Sequence, residues 1–278
     1  MSPDRYAVFG HPVSHSKSPR IHALFAEQTG QLMEYTAQDV PAESFHAAVE
    51  SFFAGSGKGL NCTVPLKELA WQIADVKSGR AQLAKAVNTL AIRDDGRLFG
   101  DNTDGIGLLR DLTVNLNLEL SGRRILLLGA GGASRGILQP LLEQGPERLI
   151  VANRTRDKAV QLAAEFADLG QIEARGFGEL EGECFDLILN ATAASLSNEL
   201  PPLPDEILAP DGCCYDLAYG TSPTAFVRWG KAHGAAQSVD GIGMLVEQAA
   251  EAFFIWRGVR PQTRPVIELL NAERGLKA

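Results

Sequence analysis

A buried strand that runs directly into a glycine-rich turn and a helix constrains this fold more than any other feature. Residues 124–136 read RILLLGAGGASRG, so Gly129 and Gly131 stand between an apolar run and a helix-forming segment. Glycine permits the tight turn and lets backbone amides approach a pyrophosphate at the helix N-terminus. A second apolar run, RLIVAN, follows about 20 residues later, the spacing of a dinucleotide-binding unit. This order of elements predicts such a unit on a parallel sheet.

The second strand of this unit ends without the acidic residue that an NAD site normally carries. Asn153, Arg154 and Thr155 stand there instead. Asp or Glu at this point would bind the ribose 2′-hydroxyl, whereas arginine can pair with a 2′-phosphate. The fingerprint also departs from the usual pattern at its third position, where Ser134 replaces Gly or Ala. We therefore predict NADP as the cofactor.

Strand-like and helix-like segments alternate along the first hundred residues. Ser18-Pro19 opens a helix, and residues 43–54 form a second helix with apolar periodicity. Such alternation is typical of an α/β layer with a mostly parallel sheet. Asp95-Gly96 between two apolar runs marks a β-hairpin. Three apolar runs read as the strands: YAVFG, residues 35–40 and GLNCTV.

We expect an α/β protein of two domains. After Val239, the segment GIGMLVEQAAEAFFIWRG repeats apolar residues at helical spacing and predicts a helix that returns to the first domain. Residues 1–104 and 242–278 are predicted to form a substrate-binding and catalytic α/β domain. Residues 105–241 are predicted to form a Rossmann-type NADP-binding domain.

Composition excludes several classes of function. The 26 Lys and Arg against 34 Asp and Glu give a net charge of -8, which argues against a general nucleic-acid role. No apolar run is long enough to cross a bilayer, and the N-terminus lacks the pattern of a signal peptide. The four cysteines lack C-x-x-C spacing, so we expect reduced thiols in a cytoplasmic protein. His11 and His15 lack a partner at ligand spacing, and we expect no metal.

Three polar clusters fall outside the nucleotide-binding unit, and each is expected to follow an apolar strand. They comprise residues 16–18, residues 61–67, and the pair Asn88-Thr89 with residues 101–105. This placement brings the clusters together at the carboxyl edge of a parallel sheet, where open α/β folds bind ligands. Their Ser, Thr, Asn and Asp side chains suit a ligand rich in hydroxyl groups. Lys67 and Asp104 are the two groups that can move a proton or polarise a carbonyl.

Taken together, the motifs of this chain resemble those of the shikimate dehydrogenase family, in its bacterial biosynthetic form. They cover nearly the whole chain in order. Two residues depart from the family pattern, Cys62 and Leu66, as does the segment NATAASLSNELP. The matching motifs are S-x-S at 16–18, N-x-T-V-P-x-K at 61–67, A-V-N-T at 86–89, G-D-N-T-D-G at 100–105, G-A-G-G-A-S-R-G at 129–136, N-R-T at 153–155 and G-M-L-V-x-Q-A at 243–249.

The resemblance implies the NADPH-dependent, reversible reduction of 3-dehydroshikimate to shikimate in the pathway to aromatic amino acids. It implies that Lys67 and Asp104 form the catalytic pair. The residues it assigns to the substrate are Ser16 and Ser18 for the carboxylate, then Asn61, Thr63, Asn88, Gln248 and Tyr219. The residues it assigns to NADP are Gly129, Ala130, Gly131, Gly132, Ala133, Asn153, Arg154, Thr155, Leu217 and Gly241. The partners are then small molecules, with no nucleic acid and no membrane, and the protein is a monomer or a homodimer.

Three alternatives stay open on the sequence. An NAD-preferring quinate/shikimate dehydrogenase would be expected to carry an acidic residue in place of the Asn153-Arg154-Thr155 pattern. A non-catalytic regulator that binds shikimate or NADP could share the fold, although intact Lys67 and Asp104 argue against it. A folate-linked dehydrogenase with a similar two-domain layout is more remote.

Overall fold

The computed structural model describes residues 2–197 and 199–275, with the backbone alone at Ser195 and Leu196. It contains two compact units, each formed by two stretches of chain. The first comprises Met1–Gly107 and Val246–Glu268, and the second comprises Leu108–Leu245 and Leu269–Ala278. Both are α/β, as the sequence predicts.

The C-terminal segment groups differently from the expectation that all of 242–278 belongs to the first domain. Arg274 provides the physical reason, since its buried guanidinium pairs with Asp240 at 2.6 Å and donates to the carbonyl of Gly220 at 2.9 Å. Both partners lie in the second unit. A long-range ion pair of this kind leaves no periodic signal in a sequence.

The first unit is built on a mixed six-stranded sheet in the order β2-β1-β3-β5-β6-β4. Strands β1, β2 and β3 pair in parallel, whereas β5 runs antiparallel to both β3 and β6. The expected hairpin is confirmed, with its turn at Gly96 in the left-handed region at φ +80°. The strands are β1 Asp4–Gly10, β2 Met33–Asp39, β3 Gly57–Cys62, β4 Val76–Lys77, β5 Thr89–Ile92 and β6 Leu98–Asp101.

Helices of the first unit bury apolar faces against this sheet. Helix α1 begins at Ser18 with Pro19 in its first turn and ends before Gly30, which adopts φ +64°. A core of Phe9, Phe45, Leu60 and Leu90 lies beneath the polar edge described below. The helices that lie wholly within the first unit are α1 Ser18–Thr29, α2 Phe45–Ala54, α3 Lys67–Ile73 and α4 Gly79–Ala84. Helices α5 Asp104–Arg110 and α9 Ile242–Arg257 contribute residues to both units, and α5 continues as a π-helical turn over Asp111–Asn115 in the second unit.

The second unit carries a six-stranded, fully parallel sheet in the order β12-β11-β10-β7-β8-β9. This is the doubly wound order of a dinucleotide-binding fold. Residues 125–128 of β7 are all buried, as expected for a parallel strand covered on both faces. Its strands are β7 Arg124–Leu128, β8 Arg148–Asn153, β9 Ile172–Gly176, β10 Phe185–Asn190, β11 Leu208–Asp216 and β12 Gln237–Asp240.

Three helices, α6, α7 and α8, connect successive strands of this sheet, and α10 lies near the C-terminus. Helix α6 starts at the glycine-rich turn, as predicted, and α7 starts just after the N-R-T motif. The bounds are α6 Gly132–Leu142, α7 Arg156–Phe166, α8 Ala225–Ala232 and α10 Arg264–Glu273. Within residues 2–197 and 199–275, none of the helices combines the length and apolar character needed to span a bilayer.

Candidate active site

The predicted polar clusters of the first unit meet at one edge of its sheet, although one of them arrives differently from the expectation. Asn88 and Thr89 do not follow a strand, because Thr89 begins β5. Since β5 runs antiparallel, its first residue lies at the edge where β3 and β6 end. The register pairs Thr89 with both Asn61 and Asp101. The clusters therefore meet at the predicted edge, but Asn88 and Thr89 lie there because β5 starts at that edge.

Lys67 and Asp104 form an ion pair, with Lys67 Nζ 2.5 Å from Asp104 Oδ2. Each is the first residue of a short helix, α3 for the lysine and α5 for the aspartate. Their side chains are 28% and 15% exposed, so both reach solvent from a largely enclosed position. A proton donor held by a carboxylate at a ligand-binding edge is suited to general acid–base chemistry.

Asn88 links this ion pair to the rest of the edge. Asn88 is 3% exposed, and its side-chain amide donates to Asp104 Oδ1 at 2.8 Å and to Thr103 Oγ1 at 2.9 Å. Its carbonyl oxygen accepts from the backbone of Thr103 at 2.9 Å. Gln248, on α9, lies 3.4 Å from the Asn88 amide and so joins the group from a distant part of the chain. Asn88 thereby fixes the orientation of the Asp104 carboxylate.

Thr63 sits just beyond β3 on a backbone held by two hydrogen bonds. Its amide donates to the carbonyl of Phe9 at 2.9 Å, and its carbonyl accepts from Leu66 at 2.8 Å. A Cβ added at Gly10 would lie 2.4 Å from Thr63 Cγ2, so this glycine is required by close approach of the two loops. The end of β1 and the N-x-T-V-P-x-K motif are therefore packed together.

Ser16 and Ser18 occupy the loop that joins β1 to α1. Ser18 is buried and begins the helix, and its backbone amide donates to Ser16 Oγ at 3.3 Å. The Ser16 backbone donates in turn to the carbonyl of Val13 at 3.0 Å. Two hydroxyl groups at the N-terminus of a 12-residue helix form an arrangement that suits a carboxylate.

An ion pair supports this edge, formed by Asp101, a buried member of the 101–105 cluster, and Arg80, which the sequence does not single out. Asp101 accepts from Ser78 Oγ at 2.5 Å and from Arg80 Nε at 2.7 Å. It also accepts from the backbone of Asn102 at 2.7 Å, and Asn102 Oδ1 accepts from the backbone of Asp104. These contacts fix the loop that carries Asp104. No sequence motif marks Arg80, because it lies on α4 and its partner Asp101 lies at the end of β6.

The glycine-rich turn of the second unit has the geometry expected of a phosphate cradle. Gly129 adopts φ +102°, and a Cβ there would lie 3.1 Å from the carbonyl oxygen of Ala191. Gly131 precedes the first residue of α6, and a Cβ at Gly131 or Gly132 would meet no atom within 4 Å. Ala130 is half-buried and Ala133 is exposed. Open space above a helix N-terminus fits a bound pyrophosphate.

Ser134, the departure from the fingerprint, has a defined structural role. Its hydroxyl is buried and donates to the carbonyl of Gly129 at 2.8 Å. This bond ties the first turn of α6 back to the first glycine. The serine therefore supports the turn, whereas the usual Gly or Ala provides close helix–strand packing.

The end of β8 presents the predicted polar residues. Arg154 and Thr155 are exposed, and Asn153 donates from its side chain to the carbonyl of Thr155 at 2.9 Å. The exposed Arg154 at this strand end fits the 2′-phosphate of NADP. Arg156, two residues further along the chain, forms an ion pair with Glu179 at 3.0 Å.

Leu217, Tyr219 and Gly241 lie at the carboxyl ends of β11 and β12. A Cβ at Gly241 would lie 2.2 Å from the carbonyl oxygen of Leu217, so the two segments approach as closely as backbone allows. Burial raises the pKa of Tyr219, so its hydroxyl keeps its proton. The buried carboxylate of Asp216 accepts from Thr224 Oγ1 at 2.6 Å and fixes this loop, a contact that sequence reasoning missed.

Tyr219 belongs to the second unit, whereas all other predicted substrate and catalytic residues belong to the first. The divergent segment after Asn190 includes Asn198, which lies outside the described residues, as do the side chains of Ser195 and Leu196. Among residues 2–197 and 199–275, no three His, Cys, Asp or Glu side chains gather into a group that could hold a metal ion.

Three family models match successive parts of the chain. The shikimate dehydrogenase substrate-binding domain matches residues 8–90, the shikimate/quinate 5-dehydrogenase domain matches residues 112–197, and the shikimate 5′-dehydrogenase C-terminal domain matches residues 241–270. A curated relative, the NADP(+) shikimate dehydrogenase of Methylococcus capsulatus, is 68% identical over 98% of both chains.

Solved structures agree with these matches over nearly the whole chain. An Ael1 enzyme from Pseudomonas putida is 50% identical with a TM-score of 0.90, covering 96% of this chain and 98% of that one. Shikimate 5-dehydrogenase from Thermus thermophilus, crystallised with NADP(H) and shikimate, is 37% identical with a TM-score of 0.85 and covers 98% of this chain and 100% of that one.

Proposed function

The chain belongs to the shikimate dehydrogenase family, and from that premise we propose that it catalyses the reversible, NADPH-dependent reduction of 3-dehydroshikimate to shikimate. Its relatives are NADP(+) enzymes, which makes it an NADP-dependent oxidoreductase of the shikimate pathway. The observation that carries the catalytic proposal is the Lys67–Asp104 ion pair, set among the amide and hydroxyl groups of one sheet edge.

The residues of the pair have separate roles in the reaction. NADPH supplies the hydride that adds to the ketone carbon of 3-dehydroshikimate. Negative charge then develops on the ketone oxygen, and Lys67 Nζ donates the proton that completes the hydroxyl. Asp104 holds Nζ in place and accepts a hydrogen bond from a neighbouring substrate hydroxyl. Because the Lys67 side chain is 28% exposed, water can return its proton. In the reverse direction Lys67 accepts the proton.

Substrate binding would use the remaining residues of the first unit's edge. Ser16 and Ser18 would hold the carboxylate at the N-terminus of α1. The ring hydroxyls would contact the other polar side chains: Asn61, Thr63, Asn88 and Gln248. The resemblance also assigns Tyr219, a residue of the second unit, to the substrate. On this basis the first unit is the substrate domain, and the second is the NADP domain.

The NADP site would use backbone amides for the pyrophosphate and an arginine for the 2′-phosphate. Gly129 to Ala133 supply the cradle at the start of α6. Arg154 would pair with the 2′-phosphate, while Asn153 and Thr155 add hydrogen bonds. Leu217 and Gly241, whose backbones nearly touch, would line the nicotinamide end.

A single set of assays tests these proposals. NADP reduction is followed at 340 nm with shikimate, then with quinate in its place, and then with NAD in place of NADP. We expect turnover with shikimate and NADP, and weaker turnover with either replacement. Preference for NAD and quinate would indicate the catabolic alternative, and binding without turnover would indicate a regulator.

We also propose that the protein works in the cytoplasm as a monomer or a homodimer. All four cysteines are free thiols and three are buried, which is consistent with a reducing compartment. Size-exclusion chromatography with light scattering measures the mass directly against the 29.8 kDa of one chain. A tetramer would contradict the proposal.

A further inference from the structure

Tyr35, in the middle of β2, contacts two of the residues assigned to the substrate. Its hydroxyl donates to Asn61 Oδ1 at 2.7 Å. Burial raises the pKa of this hydroxyl well above 10, Cys62 raises it further, and a hydrogen bond with Ser18 acts in the opposite direction. The phenol therefore keeps its proton and remains a hydrogen-bond donor. The sequence gives no sign of this role, because Tyr35 is an ordinary strand residue.

The hydrogen bonds of Asn61 define which way its amide faces. Its two Nδ2 protons go to the carbonyl of Asn88 at 2.9 Å and to Thr89 Oγ1 at 3.1 Å. Its oxygen has two lone pairs, of which Tyr35 occupies one. Turning the amide over would aim its oxygen at the carbonyl of Asn88, where two acceptors would repel. Asn61 therefore offers a ligand one acceptor position and no donor.

Packing holds the Tyr35 ring independently of its hydroxyl. The ring stacks on His22 with a centroid separation of 4.1 Å and an angle of 8° between planes. His22 is fully buried, and in the part of the chain described here neither of its ring nitrogens has a hydrogen-bond partner. The ring of Trp256 lies 6.3 Å from that of Tyr35. Loss of the hydroxyl alone should thus leave the ring in place.

We infer that Tyr35 is a positioning residue that fixes Asn61 as a hydrogen-bond acceptor for a ring hydroxyl of shikimate. Without the Tyr35 hydroxyl, the Asn61 oxygen loses the donor that orients it. The amide can then tilt, and the acceptor position moves. The effect is on binding and not on the proton transfer at Lys67. This inference rests on the proposed function, because it presumes that shikimate binds at this edge.

Tyr35→Phe tests the inference by removing one oxygen and keeping the ring. We expect the KM for shikimate to rise about tenfold, with kcat changed less than about twofold and the KM for NADP unchanged. Tyr6→Phe is a matched control, because Tyr6 pairs directly with Tyr35 across β1 and β2 and its hydroxyl contacts Arg257 at 3.2 Å. The control should keep the wild-type KM for shikimate. An unchanged KM in Tyr35→Phe would overturn the inference.

A double-mutant cycle separates positioning from general loss of structure. If Tyr35 acts through Asn61, Tyr35→Phe should add less than about twofold to the KM of Asn61→Ala. Independent, multiplicative effects would refute the positioning role. A wild type that fails to turn over shikimate would instead refute the proposed function, so the two failures are distinct.

A crystal structure of the wild type with shikimate provides a test that needs no variant. Asn61 Oδ1 should lie within hydrogen-bond distance of both the Tyr35 hydroxyl and a ligand hydroxyl. Placement of Asn61 Nδ2 against the ligand, or no contact with Asn61, would overturn the inference even if Tyr35→Phe failed to fold.

Discussion

The polar edge of the first unit and the glycine-rich edge of the second are built in opposite ways. In the first, Asn61, Asn88 and Thr89 are buried and bonded to one another before any ligand arrives. In the second, Gly131 and Arg154 are exposed, and the glycine turn presents backbone with open space above it. One edge consists of interlocked side chains, and the other of accessible amides and charge.

This difference fits the ligands that we propose for the two edges. A small polyhydroxy ring offers many similar groups, so selectivity requires donors and acceptors fixed in advance. Phosphate groups carry charge that attracts amides and arginine over a wider range of geometries. Substitutions at the interlocked edge should therefore affect chemistry and specificity strongly. Substitutions at the open edge should cause smaller losses of affinity for NADP, and these losses should be independent of one another.

The largest effect should come from Lys67→Ala at the interlocked edge. Because Lys67 is proposed to act on charge that develops in the transition state, kcat should fall by on the order of 100-fold or more. The KM for shikimate should change far less. Steady-state assays with Lys58→Ala, an exposed lysine on β3, serve as the control. Turnover close to that of the wild type would show that Lys67 is not the acid–base group.

The next effect concerns acid stability and arises from His22 beneath the same edge. Burial lowers the pKa of His22 from 6.5 to about 3, and the Asn61 side chain acts on this pKa in the opposite direction. Below pH 6.5 the unfolded chain therefore binds a proton that the folded protein does not. This group makes the free energy of unfolding fall by about 1.4 kcal/mol per pH unit between pH 6.5 and pH 3. Above pH 6.5 it has no effect on the pH dependence.

His22→Leu should remove this part of the pH dependence. Urea unfolding at pH 7 and at pH 4.5 should show a loss that is about 2.5 kcal/mol smaller in the variant than in the wild type. The rings that surround His22 include Tyr35, which keeps its proton throughout this range. His46→Gln, at an exposed histidine, is the control and should keep the wild-type slope. Equal slopes in wild type and His22→Leu would contradict the prediction.

At the open edge, Arg154→Ala should weaken NADP binding by about tenfold, because it removes one charge-assisted contact. The KM for NAD should hardly change, since NAD lacks the 2′-phosphate. Arg156→Ala is a matched control, as that arginine is paired with Glu179. Equal losses for NADP and NAD would mean that Arg154 supports the fold and does not select the cofactor.

The contrast between the edges also explains what the sequence could predict. The second unit could be predicted because its strands β7, β8 and β10 are apolar runs and its glycine-rich turn is a contiguous motif. Strands β9 and β12 gave no comparable signal, as IEARG and QSVD carry too few apolar residues. The NADP preference followed from three adjacent residues, Asn153 to Thr155. Features formed by residues that are adjacent in the sequence could therefore be predicted.

For the interlocked edge, the sequence predicted which residues come together but not which of them bond to one another. Asn88 contacts Asp104 across a separation of 16 positions in the sequence, and Tyr35 contacts Asn61 across a separation of 26. Arg80 and Asp101 are likewise joined across two elements. Pairing of this kind depends on strand order and register, which periodicity alone does not specify. The hairpin of β5 and β6 was predicted, but the pairing of β5 with β3, which brings Thr89 to this edge, was missed for the same reason.

The smallest effect should come from Ser134→Ala, which restores the usual fingerprint at the open edge. The change removes the buried hydrogen bond from Ser134 Oγ to the carbonyl of Gly129. The free energy of unfolding should fall by about 1 kcal/mol, and the KM for NADP should rise by no more than about twofold, because the phosphate is bound by amides and not by this hydroxyl. Urea unfolding and NADP titration measure the two effects, with the exposed Ser121→Ala as control. A rise in the KM for NADP as large as that in Arg154→Ala would show that the glycine turn is held by side-chain bonds after all, and the two edges would then be alike.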